Sequence, residues 1–365
     1  EAYPNVTPES FIISNGLKNK NGRIYPLGTI SNITTTLLNE SGFYPIIETD
    51  EHGFNNPKGL YKKNEVDIMF TGDSFAEGHA VHSDETIGAV LRKLNYNVIN
   101  IGKTGSGSLI QLATLKEYAE PLQPKIVLWL YYENDLTDLR KEMHFSSFLR
   151  QYLNEDDFSQ NLISRQDEID RVLINFTQDE LKKRDNKKDK EVKKKINVNW
   201  LNLFIKEHPY FFIYKILKLS NFRIKFYLYP KYYVPLIEFK KILQKSNKMV
   251  SSWNGKLYLI YLPSYYKYSY TAFNPLKKFS TRYYTLDLEH YEDILRTASE
   301  LDIPIIDMHK EVFEPHSDPL SLFPFGNLRV ICPISKFCNN LDNANSQRRS
   351  KSLVFRVPNV TKFSP

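Results

Sequence analysis

The segment best suited to chemistry is Asp67-Ile-Met-Phe-Thr-Gly-Asp-Ser74. A short apolar run leads into Gly72, Asp73 and Ser74, and an amphipathic stretch follows, so the pattern predicts a strand, a turn and a helix. Backbone N–H groups point outwards where a helix begins, which suits a hydroxyl nucleophile whose product oxyanion needs donors. The alternative is that Ser74 only caps the helix, which is the commonest role of serine there.

Two later segments repeat the pattern of a buried strand followed by residues suited to close approach or hydrogen bonding. They are Asn97-Val-Ile-Asn-Ile-Gly-Lys-Thr-Gly105-Ser-Gly107 and Lys125-Ile-Val-Leu-Trp-Leu-Tyr-Tyr-Glu-Asn134-Asp135. In an open α/β sheet, the carboxyl ends of the strands converge on one crevice. We therefore expect Ser74, Gly105 and Asn134 to meet there from three separate strands.

In this order the three segments resemble the SGNH (GDSL-type) hydrolase superfamily. The family carries its nucleophile in Gly-Asp-Ser, which Ser74 and the two residues before it match. The resemblance implies an oxyanion hole with a glycine N–H, best matched by Gly105 with Gly107 as the alternative, and with the side chain of Asn134. Tyr132 stands where the third block of the family has glycine, a departure that leaves the asparagine donor in place.

The family's general base is a histidine, commonly in Asp-x-x-His after the last strand, and it has no clear counterpart here. The last strand is predicted at Ile303-Pro-Ile-Ile-Asp-Met308, and the final histidine of the chain is His316. Asp307 and Asp318 are carboxylates near enough in sequence to orient an imidazole. Neither shows the Asp-x-x-His spacing, so we expect neither His309 nor His316 to be the designed base, with His316 as the better fallback.

The chain changes character after Phe325. Residues 327–365 hold both cysteines, seven basic residues and one acidic residue, so seven minus one gives +6 of the net charge of +7. The segment shows no sustained helical periodicity. We interpret it as an aberrant tail from a shifted reading frame or a mispredicted gene end, so no imidazole is expected within hydrogen-bond reach of Ser74. The alternative is a genuine, divergent tail that binds something acidic.

Composition bounds the remaining classes of function. The 365 residues, 41% of them hydrophobic, suffice for one large domain with additions. A pI near 9.0 would suggest nucleic acid, but without its tail the chain is close to neutral, so no nucleic-acid partner is predicted. No residues have metal-ligand spacing, and we predict neither a metal nor a cofactor. No apolar run spans a membrane. The chain begins at Glu1, so membrane contact is expected only through a missing N-terminal anchor. The compartment stays open, with the cell envelope or periplasm as candidates.

The predicted organisation is an N-terminal extension at 1–60, an α/β domain at 61–326 and the tail. The α/β domain is expected to be a three-layer, flavodoxin-like parallel sheet of about five strands, similar to that of SGNH hydrolases. Its insertion at 140–249 is expected to be helical, with an aromatic part at 199–233 against the core and a lysine-rich part in solvent. The turn-rich segment 50–57 is interpreted as a packed loop that braces the first strand.

Three functions are carried forward. The resemblance implies acyl transfer from a small-molecule or carbohydrate ester, to water or to a sugar hydroxyl, with the substrate class resting on analogy. The second hypothesis is a non-catalytic envelope or carbohydrate-binding protein that retains the fold. The third is a nucleotide-binding flavodoxin-like module, because Gly102-Lys-Thr-Gly-Ser-Gly107 follows a strand. That segment lacks both the Walker A and the Gly-x-Gly-x-x-Gly spacing, so it ranks last.

Overall fold

The computed structural model describes residues 3–20, 22–39, 43–79, 81–196, 233–269 and 290–323. For 184–196 it describes the backbone alone. The predictions made for the tail at 327–365 and for nearly all of the aromatic segment at 199–233 lie outside the described residues.

The N-terminal extension forms small sheets of its own. A parallel pair and an antiparallel pair share the middle strand of one sheet, and a hairpin forms the other. The strands are β1 Tyr3–Pro4, β2 Leu17–Asn19, β3 Gly22–Ile24, β4 Thr34–Thr36 and β5 Ile46–Glu48.

Contacts over long stretches of chain attach the extension to the rest of the molecule. The Tyr25 backbone N–H donates to Gln160 Oε1 at 2.7 Å, across 135 residues. The Ser31 N–H and hydroxyl both donate to the Asp170 carboxylate, at 2.9 and 2.7 Å, across 139 residues.

Five parallel strands form the central sheet, in the order β10-β9-β8-β6-β7. They are β6 Ile68–Thr71, β7 Val98–Asn100, β8 Ile126–Tyr132, β9 Lys256–Leu262 and β10 Ile305–Asp307. The three strands β6, β7 and β8 are buried almost throughout. This explains why their sequences are continuous apolar runs and not alternating ones: both faces of a parallel sheet are covered.

Helices and buried loops cover the two faces of this sheet. One apolar cluster contains the inward faces of helices from the insertion, and the other contains α1, α2 and the chain that follows β10. The helices are α1 Ser74–Glu77, α2 Ile87–Lys93, α3 Ser108–Thr114, α4 Glu120–Leu122, α5 Asp135–Phe145, α6 Ser147–Asn154, α7 Gln166–Ile196, α8 Leu236–Ser252, α9 Tyr265–Ser269 and α10 Tyr291–Ser299.

The predicted fold class is confirmed. The five-stranded parallel sheet lies between two layers, and every regular element in the described part of the insertion is helical. The domain boundaries stay predictions. In the described part of the chain, no helix has both the length and the apolar character that a membrane crossing requires.

Most of the loop at 50–57 is buried, and its asparagines brace neighbouring elements. Asp50 holds the loop together by accepting four hydrogen bonds, two of them from backbone N–H groups. Asn56 exchanges two 2.8 Å hydrogen bonds with the backbone of Asn100 in β7. Asn55 Nδ2 donates to the Glu77 carbonyl at 2.8 Å. The bracing contacts of these asparagines are therefore with the edge strand β7 and with α1.

Candidate active site

Ser74 lies at the turn between β6 and α1. The cap of this helix is Asp73, whose Oδ1 accepts the Phe75 N–H at 2.9 Å, so capping does not occupy the serine. Ser74 is 9% exposed, and its hydroxyl donates to Asp73 Oδ2 at 3.4 Å. Its N–H has no acceptor among the described residues, as expected for the first residue of a helix. Ser74 thus offers both a hydroxyl and an N–H donor.

The glycine-rich turn after β7 is joined to the turn that holds Ser74. The Lys103 N–H donates to the Gly72 carbonyl at 3.1 Å. Gly105 has φ +75°, a left-handed conformation that favours glycine, and its N–H has no acceptor among the described residues. The Gly107 N–H donates to Glu142 Oε1 at 2.6 Å. Of the two glycines considered, Gly105 is therefore the one with a donor to offer.

Asn134 follows β8 on the other side of β6, at the N-cap position of α5, and its side chain makes no capping hydrogen bond. Its Nδ2 donates to Asp138 Oδ2 at 2.8 Å, which leaves one amide hydrogen over. Oδ1 is buried without a partner among the described residues. Because a carboxylate only accepts hydrogen bonds when ionised, Nδ2 and not Oδ1 faces Asp138. The amide is thus oriented by Asp138 and retains a free donor.

A buried carboxyl group, that of Asp135, feels the charge of Asp73, the residue before the proposed nucleophile. Asp135 is fully buried, and its Oδ2 accepts Gln111 Nε2 at 3.3 Å and the Tyr132 N–H at 3.4 Å. Burial raises the pKa of Asp135 well above its ordinary value, and the charge of Asp73 raises it further. Both effects disfavour the charged form of Asp135.

A buried ion pair between Glu77 and Lys103 joins α1 to the glycine-rich turn. Glu77, at the end of α1, is fully buried, and its carboxylate accepts the ammonium of Lys103, itself 1% exposed. Burial raises the pKa of Glu77. The Lys103 charge and hydrogen bonds from His79, Lys103 and Thr104 outweigh it, so the pKa lies well below its ordinary value. We expect Glu77 to be ionised in the folded protein.

This depressed pKa predicts a loss of stability in acid. The ordinary pKa of glutamate is 4.5, so the folded protein binds fewer protons than the unfolded chain below that pH. The contribution is present above about pH 4.5 and declines as the pH falls further. In urea titrations between pH 5 and pH 3, the free energy of unfolding should fall more steeply in wild type than in Glu77→Gln. Parallel curves would contradict this.

None of the described histidine side chains pairs with the hydroxyl of the proposed nucleophile. Seven of the eight histidines lie in the described residues, and none of these seven hydrogen-bonds the Ser74 hydroxyl. His316 is exposed, and its Nδ1 lies 2.8 Å from the carbonyl oxygen and 3.1 Å from the backbone nitrogen of Asp318. His309 Nδ1 pairs with the Tyr268 hydroxyl at 2.6 Å. Neither imidazole hydrogen-bonds the Ser74 hydroxyl, and His316 as a general base stays a prediction.

Sequence reasoning missed the polar residues under the turns. His79 is 2% exposed, and its Nδ1 lies 2.7 Å from Thr104 Oγ1. Glu77 and Lys103 were not singled out. The available signal was that each stands within three residues of a proposed oxyanion donor. Within the described residues, no group of three or more His, Cys, Asp or Glu is placed to hold a metal ion.

Ser74 and Asn134 lie where open parallel α/β sheets commonly form ligand-binding crevices. The chain passes from β6 to β7 on one side and returns to β8 on the other, so Ser74 and Asn134 flank the switch point where such sheets bind ligands.

No protein-family model and no curated protein matches the chain. Among solved structures it is similar to LAE5, an alpha/beta hydrolase enzyme from the metagenome of Lake Arreo, Spain. The identity is 11% and the TM-score 0.38, over 80% of this chain and 100% of that chain. A likeness at this level supports no statement about function.

Proposed function

We propose that this chain is an SGNH-like, ester-processing protein whose nucleophile is Ser74. The N–H groups of Ser74 and Gly105 and the Asn134 amide are the proposed oxyanion donors. The observation that carries the proposal is that all three donors retain a hydrogen without an acceptor among the described residues. Donors preorganised in this way stabilise the charge that develops on a carbonyl oxygen in acyl transfer.

The proposed reaction has two acyl-transfer steps. Ser74 Oγ attacks the ester carbonyl, loses its proton to a base, and forms a bond to carbon as the ester C–O bond breaks and the alcohol leaves with a proton. Water, or a sugar hydroxyl, then takes the acyl group and the serine regains its proton. A carbohydrate O-acyl ester is the proposed substrate. Because the serine hydroxyl contacts Asp73 and none of the described imidazoles, we expect slow acylation.

The geometry argues against the nucleotide-binding alternative. A phosphate needs several free N–H donors from a glycine-rich turn, and the turn from Gly102 to Gly107 has already committed most of its own. A phosphate there would also lie close to the buried carboxylates of Glu77 and Glu142. The committed N–H groups are those of Gly102 to Asn100 Oδ1, Lys103 to the Gly72 carbonyl, Thr104 to Glu77, Ser106 to the Lys103 carbonyl and Gly107 to Glu142.

The second candidate is a non-catalytic carbohydrate-binding protein of the same fold. The observation in its favour is the absence, among the described histidines, of any imidazole bonded to the Ser74 hydroxyl. Such a protein would bind its ligand in the crevice at the switch point without activating the serine. The two candidates therefore differ in whether Ser74 reacts with an acylating or phosphonylating reagent.

Labelling by an aryl fluorophosphonate separates the candidates, because an activated serine hydroxyl displaces fluoride and becomes covalently phosphonylated, whereas an ordinary serine does not. We expect slow, stoichiometric labelling of Ser74 in the full chain, with hydrolysis of a simple aryl acetate at a matching low rate. Both should vanish in Ser74→Ala. The matched control is Ser264→Ala, a buried serine just after β9 on the same edge of the sheet, which should label as wild type does.

Two outcomes would contradict the proposal. Full-length protein that stays unlabelled after prolonged exposure would favour the non-catalytic candidate. Labelling that persists in Ser74→Ala would place the nucleophile elsewhere. The same assay on His316→Ala decides its role: unchanged rates would remove it as the base, and lost activity would establish it.

A further inference from the structure

The two residues that precede Gly105 are bound by the helix that begins with Ser74. Glu77 Oε2 accepts the Thr104 N–H at 2.9 Å and also the Thr104 hydroxyl. The other oxygen, Oε1, accepts Lys103 Nζ. Since Glu77 ends α1, one short helix carries the proposed nucleophile at its start and a fastening for the glycine turn at its end.

His79 extends this fastening in a defined direction. Its Nε2 accepts the Leu38 N–H at 3.1 Å, so in the neutral ring the proton must be on Nδ1. Nδ1 then donates to Thr104 Oγ1 at 2.7 Å, and that hydroxyl donates onwards to Glu77. In this series of hydrogen bonds, which runs from His79 through Thr104 to Glu77, every donor has an acceptor.

We infer that Thr104, held by Glu77 and His79, is a positioning residue that sets the Gly105 N–H against Ser74. The inference deepens the proposed function and rests on it. Thr104 touches no reacting atom itself. It stands directly before the left-handed Gly105, so movement of its backbone would swing the N–H that follows.

The expected effect is a loss of rate with little loss of binding. A displacement of about 1 Å in a catalytic group costs on the order of a hundredfold in rate. Thr104→Val keeps the shape of the side chain but removes the hydroxyl, which leaves the His79 N–H without an acceptor. Thr104→Ser keeps the hydroxyl and should restore its hydrogen bonds with His79 and Glu77.

The test combines fluorophosphonate labelling of Ser74 with amide hydrogen exchange of residues 102–107. In Thr104→Val we expect labelling about 10–100-fold slower, with an unchanged half-saturating reagent concentration and faster exchange in the turn. Thr104→Ser should recover both. The matched control is Thr114→Val, because Thr114 is a buried threonine that donates to the Ile110 carbonyl at 2.8 Å inside α3. It should change neither.

The outcomes distinguish this inference from the proposed function. Wild-type labelling in Thr104→Val with unchanged exchange would overturn the inference and leave the proposed function intact. Wild-type protein that is never labelled would overturn the proposed function, and the catalytic part of the inference with it. In that case unchanged exchange in Thr104→Val would also overturn the structural part. If Thr104→Val fails to fold, His79→Phe takes its place, because it removes the imidazole that donates to Thr104. The same labelling rates and exchange rates then decide the inference.

Discussion

Replacement of Lys103 by methionine is expected to lower the free energy of unfolding by about 3–5 kcal/mol. The substitution keeps much of the side-chain volume but leaves the Glu77 carboxylate fully buried without its counter-charge. A buried charge that has lost its partner bears the whole cost of desolvation, which the backbone N–H of Thr104 offsets only in part. Urea denaturation at pH 7, followed by circular dichroism, measures the difference.

Two further variants show whether the loss comes from the uncompensated charge. Lys125→Met removes an exposed lysine that pairs with Asp67 at 2.7 Å, and it should cost less than about 1 kcal/mol. The double variant Glu77→Gln/Lys103→Met should be more stable than Lys103→Met alone, since no charge is left unpaired. A single variant as stable as Lys125→Met would show that the pair does not stabilise the fold.

Asn134→Ala is expected to reduce the rate of aryl ester hydrolysis by about 10²–10³-fold. The variant removes the one proposed oxyanion donor that is a side chain. Stability should change little, because Asp138 keeps its 2.7 Å ion pair with Lys141 after the amide is gone. The measurement is kcat and KM on an aryl acetate, together with the melting temperature.

The comparison for this prediction is Asn247→Ala. Asn247 is also a partly buried amide, and its Nδ2 donates to the Leu301 carbonyl at 3.1 Å on the helical insertion. This variant should hydrolyse the ester as wild type does. Equal rates for both variants would remove Asn134 from the proposed oxyanion hole, whereas a raised KM with unchanged kcat would assign it to substrate binding alone.

The central strands were predictable because continuous apolar runs in the sequence indicate strands buried on both faces. β6, β7 and β8 are apolar over most of their length, and polar or glycine residues lie at or just beyond their carboxyl ends. The geometry of parallel sheets then places Ser74, Gly105 and Asn134 on one edge before any coordinates are considered.

The supporting polar residues were not predictable by the same reasoning. A charged residue in a sequence is expected at the surface, yet Glu77 and Lys103 are buried because each neutralises the other. The choice between Gly105 and Gly107 depends on Glu142, which lies 35 residues beyond Gly107 in the chain. Such pairings are properties of the folded arrangement, and no local pattern contains them.

The long-range contacts of the N-terminal extension delay its complete packing during synthesis of the chain. Ser31 meets its partner Asp170 only after 139 further residues have been made. At about 5–20 residues per second, this delay is roughly 7–28 s. Throughout it, Phe11, Tyr25 and Leu27, which are fully buried in the folded protein, lack part of the surface that covers them. Ribosome-bound chains that stop before Gln160 should therefore present this apolar segment to chaperones, and longer chains should withdraw it.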